Sequence, residues 1–198
     1  MIILDHEQGS DEWLRSRLGR PSASNFHKLI TSTGKPSSQA EAYINQMIFE
    51  RHSGIIESGY KSAAMDRGNE IEPEAREFYS FLTGNEVLEV GFVVDPTFQY
   101  GCSPDGLIGS TSGLEIKCPA GHTHMGWLRG GKLPDKHKCQ VQACMWICQR
   151  DSWDFLSYHP HCDHFLITVE RDQGYIDLMA EQVAAAVDTI VKTVEKLK

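Results

Sequence analysis

The sequence predicts an α/β fold with a central mixed β-sheet flanked by helices, and three observations carry that prediction. Helical periods fill the first third of the chain and its last 25 or so residues. Apolar, β-branched segments cluster between residues 86 and 118 and return at 152–158 and 165–169. A helical stretch separates those two strand groups, as a crossover between strands of one sheet requires. A chain of 198 residues fits a single domain, 1–198, with a sizeable core.

Composition narrows the class. Hydrophobic content of 40% and charged content of 23% are those of an ordinary globular protein. The opening Met1-Ile2-Ile3-Leu4 is too short for a signal peptide or a membrane span, and Asp5 and Glu7 follow at once. Six cysteines at irregular intervals give no disulfide framework, so reduced thiols in a cytoplasm and no membrane association are expected. A net charge of -8 argues against a protein that coats nucleic acid by charge alone. It leaves room for an enzyme whose acidic cluster is neutralised by metal and whose cations are gathered in one place. Arg129, Lys132, Lys136 and Lys138 are so gathered, opposed only by Asp135; a solvated loop is the other reading of that run.

Taken in order, Ser10-Asp11-Glu12 starts a short helix through Leu18, with a capping hydroxyl, acids in the first turn and Arg15 and Arg17 in the last. Gly19 and Pro21 end it. Ser22-Ala23-Ser24 predicts a second helix through Ile30, whose Ser-rich start beside an Arg is either an ordinary cap or a phosphate pocket. A polar loop, 31–39, leads to an amphipathic helix over Ala40 to His52. A long helix spans about Ala63 to Leu82, stopped by Gly84, and Pro73 inside it predicts a kink or a new start. Glu72 stands out there, because Ile71, Ala75, Phe78 and Tyr79 mark a buried face nearby. Strands are expected at Glu86–Asp95 and Phe98–Ser103, then helices at Ala120–Leu128 and Pro134–Gln149. Two more strands and an amphipathic helix from Gly174 complete the chain.

The chemistry concentrates at Ser103-Pro104-Asp105-Gly106, then Leu107 to Gly113, then Leu114-Glu115-Ile116-Lys117-Cys118-Pro119. This is a hairpin around Gly109-Ser110-Thr111-Ser112-Gly113. On its second strand Glu115 and Lys117 share one face, and Leu114 and Ile116 point to the other. Asp105 places a second carboxylate beside Glu115. Two carboxylates aimed at one spot repel each other unless a cation lies between them, and hard oxygen ligands favour magnesium or manganese.

That Pro-Asp, gap, Glu-X-Lys pattern resembles the core of the PD-(D/E)XK nuclease superfamily. Further motifs occur in order: Trp13 to Ser24, Arg67-Gly68 with Glu72, Cys102 to Gly106, Leu114 to Pro119, and Gln140-Val141-Gln142 with Met145-Trp146. Together they resemble the phage lambda exonuclease family, the viral-recombinase branch of that superfamily. The resemblance implies a magnesium-dependent exonuclease that digests one strand of linear double-stranded DNA from its 5′ end, leaving a 3′ overhang for recombination. It also implies a homotrimeric ring, a single-strand annealing protein as partner, and a phage or prophage origin in a bacterial host. By the same resemblance Asp105, Glu115, the Ile116 carbonyl and Glu72 would hold one or two Mg2+, with Mn2+ able to substitute. Lys117 would orient the attacking water and Gln142 would position water or phosphate. Arg17, Ser24 and Ser103 would take the terminal 5′-phosphate. Arg129, Lys132, Lys136 and His137 would meet DNA, and Met65 matches the place of an apolar wedge between strands. His137 departs from the family, which has an aromatic hydroxyl at that position.

Other readings stay open. A restriction-type or structure-specific endonuclease would use the same metal site. A zinc or iron–sulfur module would draw on Cys139, Cys144, Cys148, His159, His161, Cys162 and His164, whose spacings match no zinc pattern. A catalytically dead DNA-binding relative is disfavoured, since every acidic and Lys position of the motif is present.

Overall fold

The computed structural model describes residues 1–57 and 63–198, with the backbone alone for residues 63–66 and 69. Strand β1 (Ile2–Leu4) opens the chain. Helix α1 (Asp11–Arg17) follows, its first turn capped by the Ser10 hydroxyl, which accepts from the Trp13 N–H at 3.2 Å. The second predicted helix is instead a 3-10 segment, Ala23–Lys28, without a side-chain cap at Ser22. Three residues per turn align Phe26 with Leu29 toward the core, and both are buried. Helix α2 (Ala40–Ser53) ends at Gly54 in the left-handed conformation, φ 72°. Its inward face carries Tyr43, Met47 and, unexpectedly, Glu50.

Helix α3 (Ala63–Thr83) runs through Pro73 as one element, so of the kink or new start expected there the new start does not occur. Proline removes one backbone hydrogen bond, but Ala75 and Tyr79, both beyond it on the same helix, are fully buried and hold the helix to the sheet. The strand expected over Glu86–Asp95 is in fact two. Strand β2 (Val87–Leu88) and strand β3 (Phe92–Val94) join different sheets. Gly91 separates them because the chain passes hard against the N-terminal segment there. A Cβ at this position would lie 2.3 Å from the His6 carbonyl oxygen and 2.4 Å from that of Leu4.

Strand β4 is only Gly101–Cys102, shorter than expected, because Asp95 gathers the preceding residues into a turn. Its carboxylate accepts from the N–H groups of Thr97, Gln99 and Tyr100. The predicted hairpin forms as β5 (Gly106–Ile108) and β6 (Ser112–Lys117), paired Gly106↔Leu114 and Leu107↔Gly113. Helices α4 (Gly121–Gly130) and α5 (Asp135–Cys148) cross over to β7 (Ser152–Ser157), which pairs parallel to β6. Strand β8 (Phe165–Glu170) and helix α6 (Gln173–Lys196) finish the fold.

The result is a mixed five-stranded sheet, β2-β5-β6-β7-β8, beside a small antiparallel one, β1-β3-β4. One core cluster joins Leu114, Ile116 and Leu156 of the larger sheet to Ala75 and Tyr79 of α3. The larger cluster packs Trp153 and Phe155 with residues of α2, α5 and α6. Strand β6 therefore lies at the centre of the sheet with apolar layers on both sides. Among the described residues no helix is long and apolar enough to cross a membrane.

Gly91→Ala forces a Cβ into two backbone carbonyls, neither of which can turn aside as a side chain would. The expected destabilisation is about 1–3 kcal/mol in urea unfolding, with the transition remaining cooperative.

Candidate active site

Alternation along β6 turns Glu115 and Lys117 to the face opposite Leu114 and Ile116. Glu115 has 0% exposure, which desolvates a carboxylate on the central strand. Its Oε1 is engaged twice, by an ion pair with Lys117 Nζ and by a 2.5 Å hydrogen bond from Gln140 Nε2. Its Oε2 is buried with no hydrogen-bond partner. Asp105 arrives from the loop between β4 and β5 and accepts from the Ile116 N–H at 2.6 Å. Glu72 comes from α3 and is held by Arg76 Nη2 at 2.6 Å.

The fields of these groups overlap. Burial, reinforced by Asp105 and Glu72, pushes the Glu115 carboxyl up to about 7 although Lys117 opposes the shift. Burial and Asp105 likewise raise Glu72 to about 7 against the pull of Arg76. Lys117 is raised as well: its desolvation is outweighed by Glu115 and Asp105, which hold it as ammonium. Among the described residues no three His, Cys, Asp or Glu side chains close on one point as they stand, since Arg76 and Lys117 each hold one of the acids. The donor set nonetheless fits a hard divalent cation: three carboxylates in one another's field, with an unpartnered buried oxygen on Glu115.

Two residues before Asp105, Ser103 Oγ accepts from Arg17 Nη1 at 2.9 Å and from Trp13 Nε1 at 3.0 Å. The Arg17 guanidinium lies 4.2 Å from the centroid of the Trp13 ring. Burial lowers its pKa from the usual value, and no carboxylate pairs with it among the described ion pairs. Ser24 is exposed and contacts Ser22 Oγ at 3.3 Å, with no bond to Arg17 or Ser103 among the described contacts. A cavity of about 620 Å3 connects the neighbourhood of Trp13 to Glu72, Arg76, Glu89 and Asp105, with the segment Asp5 to Gly9 as its other wall.

Gln142 is a correction. It is buried and turned away from Glu115: Nε2 donates to the Glu170 carbonyl at 2.9 Å and Oε1 accepts from the Asp172 N–H at 2.8 Å. Gln140 reaches Glu115 in its stead. Successive helical residues turn by about 100°, so residues two apart cannot both face β6. The signal was His137, three residues before Gln140 and on its face of α5. His137 itself packs between Trp127 and Phe155, each ring centroid 5.2 Å away, rather than standing with the surface cations. Burial, with Lys117 and Lys136 nearby, lowers it to about 3 and keeps the ring neutral.

Arg129, Lys132 and Lys136 are exposed around the turn between α4 and α5, with Lys136 Nζ 4.8 Å from the Trp127 centroid. Lys138 departs from that group to pair with Asp172 at 3.1 Å. The Met65 side chain lies outside the described residues. Trp13, quoted within a motif but given no role, and Arg76, which the sequence reading did not single out, emerge as parts of the site; the i, i+4 spacing of Glu72 and Arg76 is the signal for the second. His124 is used structurally, through Ser157 Oγ and the Asp163 carbonyl, both at 2.8 Å.

Comparison with known proteins places these features in a family. Residues 12–151 match the YqaJ-like viral recombinase domain. The crystal structure of an alkaline exonuclease, LHK-Exo, from Laribacter hongkongensis is 35% identical with a TM-score of 0.85, covering 95% of this chain and 96% of that one. The structure of LHK-Exo in complex with dAMP is 34% identical, with a TM-score of 0.85 and 96% of each chain covered. A phage-related exonuclease from Haemophilus somnus 129PT, 15% identical, shares the fold with a TM-score of 0.73 over 90% of this chain and 96% of that one. No curated protein sequence matches.

The raised Glu115 carboxyl has a measurable consequence for stability. Unfolded, it titrates near 4.5; folded, near 7, so between these values the folded chain holds the extra proton. Its contribution to stability is therefore present below about 4.5 and lost as pH rises through 7. Glu115→Gln should gain stability relative to the parent protein over that window, read from thermal unfolding at pH 5 and pH 8.

Proposed function

Because the chain belongs to the YqaJ-like viral recombinase family, we propose that it is a magnesium-dependent exonuclease acting on linear double-stranded DNA. It digests one strand from the 5′ end to mononucleotides and leaves a 3′ overhang for recombination by strand annealing. The observation that carries this reading is that one loop brings together two sites: Ser103 with a guanidinium that pairs with no carboxylate among the described ion pairs, and Asp105, bonded to the Ile116 N–H next to buried Glu115. The relative LHK-Exo, an alkaline exonuclease seen in complex with dAMP, supports both the reaction class and the mononucleotide product.

In this reading Arg17 and Ser103 bind the terminal 5′-phosphate. A guanidinium fork stacked on Trp13 and, among the described residues, bonded only to a hydroxyl is equipped for an oxyanion. Exposed Ser24 is the further hydroxyl that the family pattern adds. Asp105, Glu115, Glu72 and the Ile116 carbonyl would hold one or two Mg2+, with Mn2+ as a substitute. Bound there, such ions supply Lewis-acid stabilisation of the entering and leaving oxygens of an in-line displacement at phosphorus. Lys117 orients the attacking water and, as an ammonium, stabilises negative charge growing on the phosphate. Gln140 holds Glu115 in its rotamer through Oε1. Arg129, Lys132 and Lys136 contact the duplex backbone. A homotrimeric ring, a single-strand annealing partner and a place in the bacterial cytoplasm, phage or prophage encoded, belong to the same proposal.

The test is a linear duplex carrying a 5′-phosphate at one end and a 5′-hydroxyl at the other, with magnesium or chelator and with a closed circle alongside. Magnesium-dependent release of mononucleotides from the phosphorylated end, sparing the circle, is expected; cutting of the circle would establish the endonuclease instead. Glu115→Ala should be inactive, and Arg17→Ala should lose the preference between ends. Gln140→Ala should lose activity by about 10–100-fold as the partner of a ligand. Gln142→Ala should keep its activity while losing about 1–3 kcal/mol of stability.

A further inference from the structure

Arg76 has no part in the mechanism above, yet all three of its guanidinium nitrogens are engaged in the cleft. Nη2 donates to Glu72 Oε1 at 2.6 Å, Nη1 pairs with Glu89 Oε2 at 2.9 Å, and Nε donates to the Asp105 carbonyl oxygen at 3.0 Å. Its side chain is 15% exposed, that of Glu72 30% and that of Glu89 67%. One cation thus ties α3, the segment between β2 and β3, and the loop bearing Asp105.

The acids of this cleft would repel one another without internal cations, and the fold supplies two. Lys117 pairs with Glu115, and Arg76 pairs with Glu72. A guanidinium does not give up its proton, so whatever takes Glu72 from Arg76 leaves behind a full positive charge in need of another acceptor. Glu89 is that acceptor. It is already in contact, and being largely exposed it pairs with the guanidinium at little cost in desolvation. The bond from Nε to the Asp105 carbonyl holds the guanidinium in place during the exchange.

We propose that Arg76 is the resident counter-ion of the carboxylate cluster: it occupies Glu72 until a divalent cation takes that carboxylate, and Glu89 retains the guanidinium afterwards. The inference rests on the reading that Glu72, Asp105 and Glu115 bind such a cation. It carries a sign that a purely structural arginine would not. Arg76→Gln removes a competitor for Glu72 together with a positive charge beside the cation, so cation affinity should rise. A structural brace, once lost, would loosen the Asp105 loop and lower affinity. Glu89→Gln leaves Arg76 with no carboxylate to hold once Glu72 is surrendered, so affinity should fall.

The experiment is calorimetric titration of the metal-stripped full chain with Mn2+ and with Mg2+ at pH 8, without DNA. Arg76→Gln should bind about threefold tighter or more, as expected for one unit charge a few ångströms away at partial screening, and Glu89→Gln weaker by a similar factor, because Arg76 then competes harder for Glu72. In the Arg76→Gln background, Glu89→Gln should have little further effect, because its action runs through Arg76. Weaker binding by Arg76→Gln, or an equal effect of Glu89→Gln in both backgrounds, would overturn the proposal. Glu89 is exposed enough for its variant to fold in any case, and unchanged affinity there would also overturn it. Wild-type protein that binds neither cation, or Glu115→Ala that binds as the wild type does, would instead remove the cation reading on which the inference stands.

Discussion

Glu115 lies without solvent exposure on the middle strand of the sheet, between two apolar layers, and much of the surrounding structure serves to keep it there. Burying a lone carboxylate is costly by several kcal/mol. Here the ammonium of Lys117 and the amide of Gln140 converge on one of its oxygens. The alternation that aims Glu115 at them also sends Leu114 and Ile116 into the layer beneath α3, so the charged face and the apolar face fix the same register. Parallel pairing with β7 sets Glu115 opposite Phe155 and leaves no slack for slippage. The raised carboxyl that results is the kind of perturbation that marks reaction chemistry more often than scaffold.

The loop carrying Ser103 and Asp105 is the second dependent feature, and it is braced from three sides. Gln8 Nε2 donates to the Pro104 carbonyl and to that of Val90, both at 2.9 Å. Arg76 takes the Asp105 carbonyl, and Trp13 and Arg17 take Ser103 Oγ. The N-terminal segment is therefore part of the cleft's geometry, which is why Gly91 must let it pass so closely. In the proposed reading, holding the phosphate-binding Ser103 and the metal-binding Asp105 two residues apart on one braced loop fixes their separation. That is what a reaction counting one nucleotide from an end would require.

Much of this was legible in the sequence, and the parts that were not have physical reasons. The hairpin, the shared face of Glu115 and Lys117, the capping of α1 and the α/β order follow from short-range rules, and short-range rules held. Gln142 was chosen over Gln140 because a motif gives residue types without saying which side of a helix faces the sheet. Val90 and Phe92 look like one strand until β1 is known to lie against Gly91, a contact across more than eighty residues that no local window contains. Pro73 suggested a break, but full burial of Ala75 and Tyr79 outweighs one missing hydrogen bond. The same limit hid the role of Trp13, whose partner Ser103 is ninety residues away in the sequence.

The acidity of the chain, -8 overall, sits uneasily with a DNA substrate only if binding is imagined as a uniform coat. In the proposed reading the charges are divided by task. The cleft gathers acids that a divalent ion must bridge, and internal cations hold them in the meantime. Exposed Arg129, Lys132 and Lys136 gather around the turn between α4 and α5, and the half-buried guanidinium of Arg17, with no carboxylate partner among the described ion pairs, lies beside Ser103. Few phosphate contacts mean weak sequence-independent affinity and a shallow dependence on salt. An enzyme so built gains its hold on DNA at an end, where a terminal phosphate offers more charge than an internal one. Acidity elsewhere on the surface would then disfavour binding along the duplex and leave the end as the place where attraction exceeds repulsion.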